Sequence, residues 1–258
     1  MPLPLPASAL RITRVVTWLD QQGHADRSVI SVKGQVNSRT RTAALPWADL
    51  TDQPLEAELS AALGRPVIVE NDANLAAWQA WHPLNLTPDD PLVFLNSEFG
   101  LGLGLMLGGQ LYHCATGELS YAADPAKRRR HDLALHRLLG HLRGVDPETD
   151  IITVAALAAG GHTPVKRALR AYTTDLANHL TSAVTILNPA ALVLQDLPPA
   201  SERLRREVTR ALTELGLPTR AVISPLGLLG GLDSAARYGV AWLERAHLSA
   251  ASDFPAPR

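Results

Sequence analysis

The tetrapeptide Asn71-Asp72-Ala73-Asn74 sets a carboxylate between two side-chain amides, directly after the apolar run Val67-Ile68-Val69-Glu70. An aspartate at the carboxyl end of a strand and in the first turn of a helix lies beside orphan amide donors that keep it ionised. There it can take a proton from a sugar hydroxyl or simply bind it. The competing role is structural, because Asn71 or Asp72 can be no more than the helix N-cap, and the tetrapeptide alone favours that role. Glu118, in Gly117-Glu118-Leu119-Ser120-Tyr121, has a phenol three residues on, and such a pair can clamp a polyol through hydrogen bonds of fixed direction. Exposed glutamates are common, so this signal is weak alone.

Other candidate constellations read as structural. Gly100, Gly102 and Gly104 alternate with leucines, which suggests a twisted hairpin or a close approach of backbone or ligand. Phosphate cradling there is disfavoured, because the flanking Glu98 would repel phosphate and Phe99 would fill its space. The run Lys127-Arg128-Arg129-Arg130-His131 starts a helical pattern with Leu133, Leu135, Leu138 and Leu139, so a solvated helix face is favoured over an anion site. His131, His136 and His141 recur every five residues, which is not the i, i+4 spacing of a zinc helix. Lys33, Lys127 and Lys166 are the only lysines among 24 basic residues, and none follows a glycine, which excludes a P-loop.

The elements that must position these residues alternate between strand and helix. The pattern predicts a helix at 7–22, a strand at 28–33, and a polar, turn-rich surface loop over Gly34–Trp47. A helix at 54–63 leads through Arg65-Pro66 into the strand that ends at Glu70. Strand, polar tetrapeptide and helix make a βα junction, the usual place for a ligand in α/β sheets. After Pro91 come a buried strand at Leu92–Leu95, a glycine-rich hairpin turning at Gly108-Gly109, and helices at 127–142, 151–159 and 164–187. A strand at Ala191–Gln195, a helix at 201–215, a strand at 220–224 and a closing helix at 227–247 complete the order. This is α/β architecture with a boundary near residue 90, where Leu86–Pro91 reads as a linker, and the last residues, 249–258, read as a disordered tail.

Composition bounds the class. The 258 residues are 46% hydrophobic and 19% charged, too apolar for a disordered chain, and no run is long enough to span a membrane. A formal net charge of −1 gives no global attraction to nucleic acid or anionic lipid. The single cysteine, Cys114, cannot form an intrachain disulfide, and the first residues lack a signal-peptide pattern, so the cytoplasm is the expected compartment.

In order, these segments resemble the ROK family of bacterial repressors, open reading frames and sugar kinases. The resemblance rests on Val29–Asn37 (VISVKGQVN), Val69–Asn74 (VENDAN), the hairpin Phe94–Leu111, Gly117–Tyr121 (GELSY), Ile186–Asp196 (ILNPAALVLQD) and Ser224–Ala236. It implies an actin-like, ribonuclease H-like fold of two lobes, with a partial N-terminal lobe at 1–90 and a C-terminal lobe at 91–248. It places Asp72 where the family's kinases keep their catalytic base, Asn71 and Glu118 where they bind sugar hydroxyls, and Gly34 where the backbone closes on the sugar.

The departures from the family pattern shape the functional expectation. The family's first phosphate hairpin and its DNA-reading domain have no counterpart in this sequence, so the N-terminal lobe is expected to be incomplete and direct DNA binding is not expected. The second phosphate motif reads Glu98-Phe99-Gly100, and the paired glycines beside the adenosine read Gln195-Asp196. Tyr121 stands at the family's zinc histidine and no cysteine follows it, so no zinc and no other metal is expected. Phosphoryl transfer depends on positioning and charge neutralisation around the phosphates, so these losses should abolish it even with the base intact. The expectation is a non-catalytic sugar-binding or transcriptional-regulator-type member, homo-oligomeric and without a cofactor. The alternatives are an ATP-dependent hexose kinase, which would need ATP and magnesium, and a dimerisation module without a ligand.

Overall fold

The computed structural model describes residues 28–45, 50–96, 102–114, 119–120, 151–196, 201–224, 235 and 237–241. They fall into two compact units. One takes the chain up to Leu75, then His113 and Cys114, then the helical residues of 237–241; the other runs from Ala76 to Tyr112 and resumes at Leu119. The Leu86–Pro91 stretch lies within the second unit. The expected helices at 7–22 and 127–142 and the tail lie outside the described residues.

The first unit begins with Ser28–Val32 (β1), followed by Gln35–Asn37 (β2), Thr42–Leu45 (β3) and Leu50–Gln53 (β4). Helix Leu55–Leu63 (α1) and strand Val67–Asn71 (β5) follow, and helix Asp72–Trp81 (α2) starts in this unit and belongs to the second from Ala76 on. Strands β1 and β5 pair in parallel from Ser28 opposite Val67 to Val32 opposite Asn71, so their carboxyl ends coincide. The expected surface loop after Lys33 is instead an antiparallel sheet in the order β2-β3-β4. Its inward residues are Val36, Ala43, Leu45 and Leu50, each buried, while Asn37 organises the first turn by accepting from the amides of Arg39 and Thr40 at 3.0 and 3.2 Å. Strands this short bury one or two side chains apiece, too few for a period of two to show against the surrounding residues.

Helix α1 closes this unit by burying Leu55 and Leu59 against Val32, Val67 and Val69. Leu59 is 1% exposed, a burial that stabilises the fold by about 1.5–3 kcal/mol. The helix ends at Gly64, whose φ of 62° is a left-handed cap. It also seals an edge of β5. Ser28 donates to the carbonyl of Pro66, so the amides of residues 67, 69 and 71 face away from β1. Ser60 Oγ takes the Val67 amide at 3.0 Å, Glu56 Oε2 takes Val69 at 3.3 Å, and Glu70 Oε1 takes Asn71 at 2.8 Å. Side chains thus satisfy donors that would otherwise recruit another strand.

The second unit contains strands Leu92–Asn96 (β6), Gly102–Leu107 (β7), Gln110–Leu111 (β8) and Leu119–Ser120 (β9). Helices Ile151–Ala159 (α3) and Thr163–Leu187 (α4), strand Ala191–Leu194 (β10), helix Ser201–Glu214 (α5) and strand Arg220–Ile223 (β11) complete it. The sheet runs β11-β10-β6-β7-β8, with β9 also paired to β7; β6, β10 and β11 are mutually parallel and β7 is antiparallel to β6. One face packs Leu95, Leu105, Leu192 and Leu194 against Leu180 of α4 and Val208 of α5. The other packs Phe94, Met106 and Val193 against Ala77 and Ala80 of α2. Burial on both faces explains why β6 and β10 read as unbroken apolar runs.

One glycine of the alternation, Gly104, has its cause here. Gly104 stands directly opposite Phe94, on the face where the ring packs, and a missing Cβ leaves the ring its space. The hairpin turns as expected at Gly108 and Gly109, with φ of 60° and 71°, a geometry that requires positive φ at both central residues. The Asn188-Pro189 pair ends the 25-residue α4: Asn188 adopts a left-handed φ of 41°, its amide returns to Val184, and Thr219 donates to the Pro189 carbonyl at 2.6 Å. Among the described residues no helix is long and apolar enough to cross a membrane.

Candidate functional site

Strand β5 passes into α2 without an intervening loop, so its last residue must also start the helix. Asn71 does this: its Oδ1 accepts from the amides of Ala73 at 2.9 Å and Asn74 at 3.1 Å. Its Nδ2 donates to the carbonyl of Gly34 at 2.9 Å, tying the helix start to the end of β1. These bonds use both acceptor lone pairs and one donor of the amide, leaving the second Nδ2 hydrogen as its capacity toward a ligand. A Cβ at Gly34 would run into the carbonyl oxygen of Ala44 and come within 2.7 Å of Leu45 Cδ2, so only glycine permits this approach.

Asp72 follows, half-buried, with Oδ1 accepting from the amide of Ala73 at 2.9 Å. Its carboxylate stands in the first turn of α2, where the amide ends of the helix favour negative charge. The geometry therefore brings Gly34, Asn71 and Asp72 together, and a hydroxyl ligand there would meet one amide donor and one carboxylate acceptor. Of the two roles weighed for the tetrapeptide, the structure shows the cap, and Asn71 is the residue that makes it.

Two residues that the sequence reading passed over complete this site. Glu70 is 4% exposed, and its Oε1 accepts from the Asn71 amide at 2.8 Å and from Asn74 Nδ2 at 2.9 Å. Its Oε2 lies 2.7 Å from His113 Nε2. The hydrogen bond to Glu70 raises the His113 pKa above its ordinary value; burial opposes the shift, the charge of Glu70 adds to it, and Arg41 works against it. The available signal was a charged residue inside the apolar strand VIVE, since a carboxylate there must find partners. Its partner 43 residues away has no local signature.

The remaining expected site residues divide. Glu118, Glu98, Phe99 and Gly100, with Tyr121 and the basic run from Lys127, lie outside the described residues. Gln195 and Asp196 are described, in the second unit at the end of β10. Gln195 is buried and donates its backbone N–H to the Leu95 carbonyl at 3.0 Å, and Asp196 Oδ1 accepts from Ser201 Oγ at 2.7 Å at the start of α5. Among the described residues no group of three or more histidine, cysteine, aspartate or glutamate side chains is placed to hold a metal ion.

The fold matches a ROK hexokinase from Thermus thermophilus with a TM-score of 0.64 at 21% identity, covering 92% of this chain and 87% of that one. It matches a ROK glucokinase from Streptomyces griseus, solved with glucose and AMPPNP, with a TM-score of 0.65 at 20% identity over 90% and 88%. A ROK transcriptional regulator homologous to the E. coli MLC protein matches at 0.63 and 19% identity over 83% of this chain and 64% of that one. The chain has the actin-like fold. Residues 6–121 match the model of the ROK family. Among curated proteins it is similar to the bifunctional enzyme NanE/NanK of Brucella melitensis, 38% identical over 38% of this chain. It is also similar to the glucokinase of Streptomyces coelicolor, 34% identical over 42% of this chain. The match spans only 19% of the first relative's length and 36% of the second's.

Proposed function

We propose that this chain is a non-catalytic sugar-binding member of the ROK family, of the regulator type, in which Gly34, Asn71 and Asp72 hold sugar hydroxyls and Glu118 joins them by resemblance. The observation that carries this reading is the 2.9 Å bond from Asn71 Nδ2 to the Gly34 carbonyl, which fixes two sugar-side positions against each other beside the Asp72 carboxylate. The non-catalytic part rests on Gln195 and Asp196. In place of the paired glycines that by resemblance lie beside the adenosine, they put a buried amide side chain and an aspartate where a nucleoside would need open space. They do not fit ATP, and no step through a nucleotide follows from them. Calorimetric titration with glucose, mannose, N-acetylglucosamine and N-acetylmannosamine tests the reading: heat from at least one of them is expected, reduced in Asp72→Asn. Absence of heat up to millimolar sugar, with an unchanged melting midpoint, rejects it.

A kinase reading is favoured by the similarity to a glucokinase and by an aspartate at the catalytic-base position. It requires ATP and magnesium, and it predicts ADP release that needs a sugar and disappears in Asp72→Asn.

A further inference from the structure

Glu70 stands between two groups of the site. One carboxylate oxygen holds the turn that carries Asn71 and Asn74, and the other holds His113, which arrives from a distant part of the chain. A buried carboxylate with both oxygens engaged cannot turn toward one partner without disturbing the other. The His113 ring is 26% exposed, so its proton exchanges with solvent while its partner is shielded.

The surroundings of His113 are charged on several sides. Glu70 faces it from β5, Arg41 from the β2–β3 turn, Glu56 from α1 and Tyr238 from the helical residues of 237–241, around a recess of about 90 Å³. Arg41 is itself ion-paired with Glu56, so the recess holds two acid–base pairs.

We propose that Glu70 is a positioning residue that transmits the charge of His113 to the Asn71–Asn74 turn, making the ligand affinity of that turn depend on pH. With His113 charged, Oε2 is drawn into an ion pair and Oε1 is fixed on its two amide donors. With His113 neutral, the contact weakens to an ordinary hydrogen bond, or is lost in the Nδ1–H tautomer, and the carboxylate is freer to shift. The direction follows from the raised His113 value: the pair is complete below the ordinary histidine value of 6.5 and is lost as pH rises through the higher folded one. Only the affinity part of this proposal rests on the sugar-site reading.

The test has two arms. In the first, nitrogen-15 NMR of the ligand-free full chain follows the Asn71 amide and the Asn74 side-chain NH₂ between pH 5 and 9. Both should shift with the same midpoint as the His113 ring and stay flat in His113→Gln and Glu70→Gln. Glu70→Gln is chosen because its Oε1 can still accept from both asparagines and its Nε2 can donate to a neutral imidazole, so shape is kept and charge removed. Amide signals that ignore the His113 titration overturn the proposal, whether or not a sugar binds. The second arm measures the dissociation constant for whichever of the four sugars above gives heat. Affinity should fall about three- to tenfold from pH 5.5 to 8.5 in the wild type and by less than twofold in His113→Gln. An equal fall in both rejects the coupling to affinity. Titrating signals without any sugar heat would reject the sugar-site reading and leave the transmission through Glu70 standing.

Discussion

The carboxyl ends of β5 and β10 make an informative pair. Each closes an apolar strand in a parallel pairing, each carries an amide side chain next to an aspartate, and each leads to a helix. At β5 the amide of Asn71 does the local work, capping α2 and reaching Gly34, and the aspartate is left half-exposed in the first helical turn. At β10 the backbone of Gln195 prolongs the ladder with β6, and the aspartate is drawn into local structure by Ser201. The same pair of residue types thus yields a half-exposed carboxylate beside a capping asparagine in one place and an aspartate held at a helix start in the other. Which outcome follows depends on whether the residue before the aspartate takes over the cap.

The comparison breaks most sharply at Asn71. Asn71→Ala removes the cap and strands the Gly34 carbonyl, and is expected to cost about 2–4 kcal/mol in urea unfolding and to abolish sugar heat. Asn71→Asp should recover the cap but not the donor to Gly34, giving a smaller loss of stability and no recovery of sugar binding. Gly34→Ala comes next, at about 1–3 kcal/mol, because β1 and β3 must part to admit the methyl; unchanged sugar affinity in this variant would dissociate Gly34 from the site. A pH effect follows. Since the His113 pKa is raised, the stability from its charged pair with Glu70 is present at pH 5.5 and lost as pH rises. His113→Gln should therefore lower the melting midpoint more at pH 5.5 than at pH 8.5. The smallest effect belongs to β10, where Asp196→Ala should cost at most about 1 kcal/mol and leave sugar heat untouched. A loss of sugar binding there would erase the distinction between the two strand ends.

Much of this was legible in the sequence, for reasons visible at particular residues. The run Val67-Ile68-Val69 and the cap-type Asn71 locate a βα junction because both signals are local, and Gly108-Gly109 locate a turn because few residues accept positive φ. The parallel strands of the second unit were legible as apolar runs because they are covered on both faces. What was not legible depends on distance or brevity. Strands β2 and β3 bury too few side chains to show a period, and Glu70 with His113 makes sense only once the fold brings together positions 43 residues apart.

The first unit is assembled from separated stretches of chain: β1 to the start of α2, then His113 and Cys114, then the helical residues of 237–241. The last of these packs closely enough that a Cβ on Gly239 would lie 3.1 Å from Val29 Cγ2 of β1. During synthesis β1 therefore emerges more than 200 residues before its helical cover. The second unit has all its strands in hand before the first can close, so the nascent sheet of the first unit must wait with β1 uncovered. Contacts of such long sequence separation form late and slowly. The unit that carries Asn71 and Asp72 is thus the last to be completed, and the surroundings of that turn are in place only once residues 237–241 have been made.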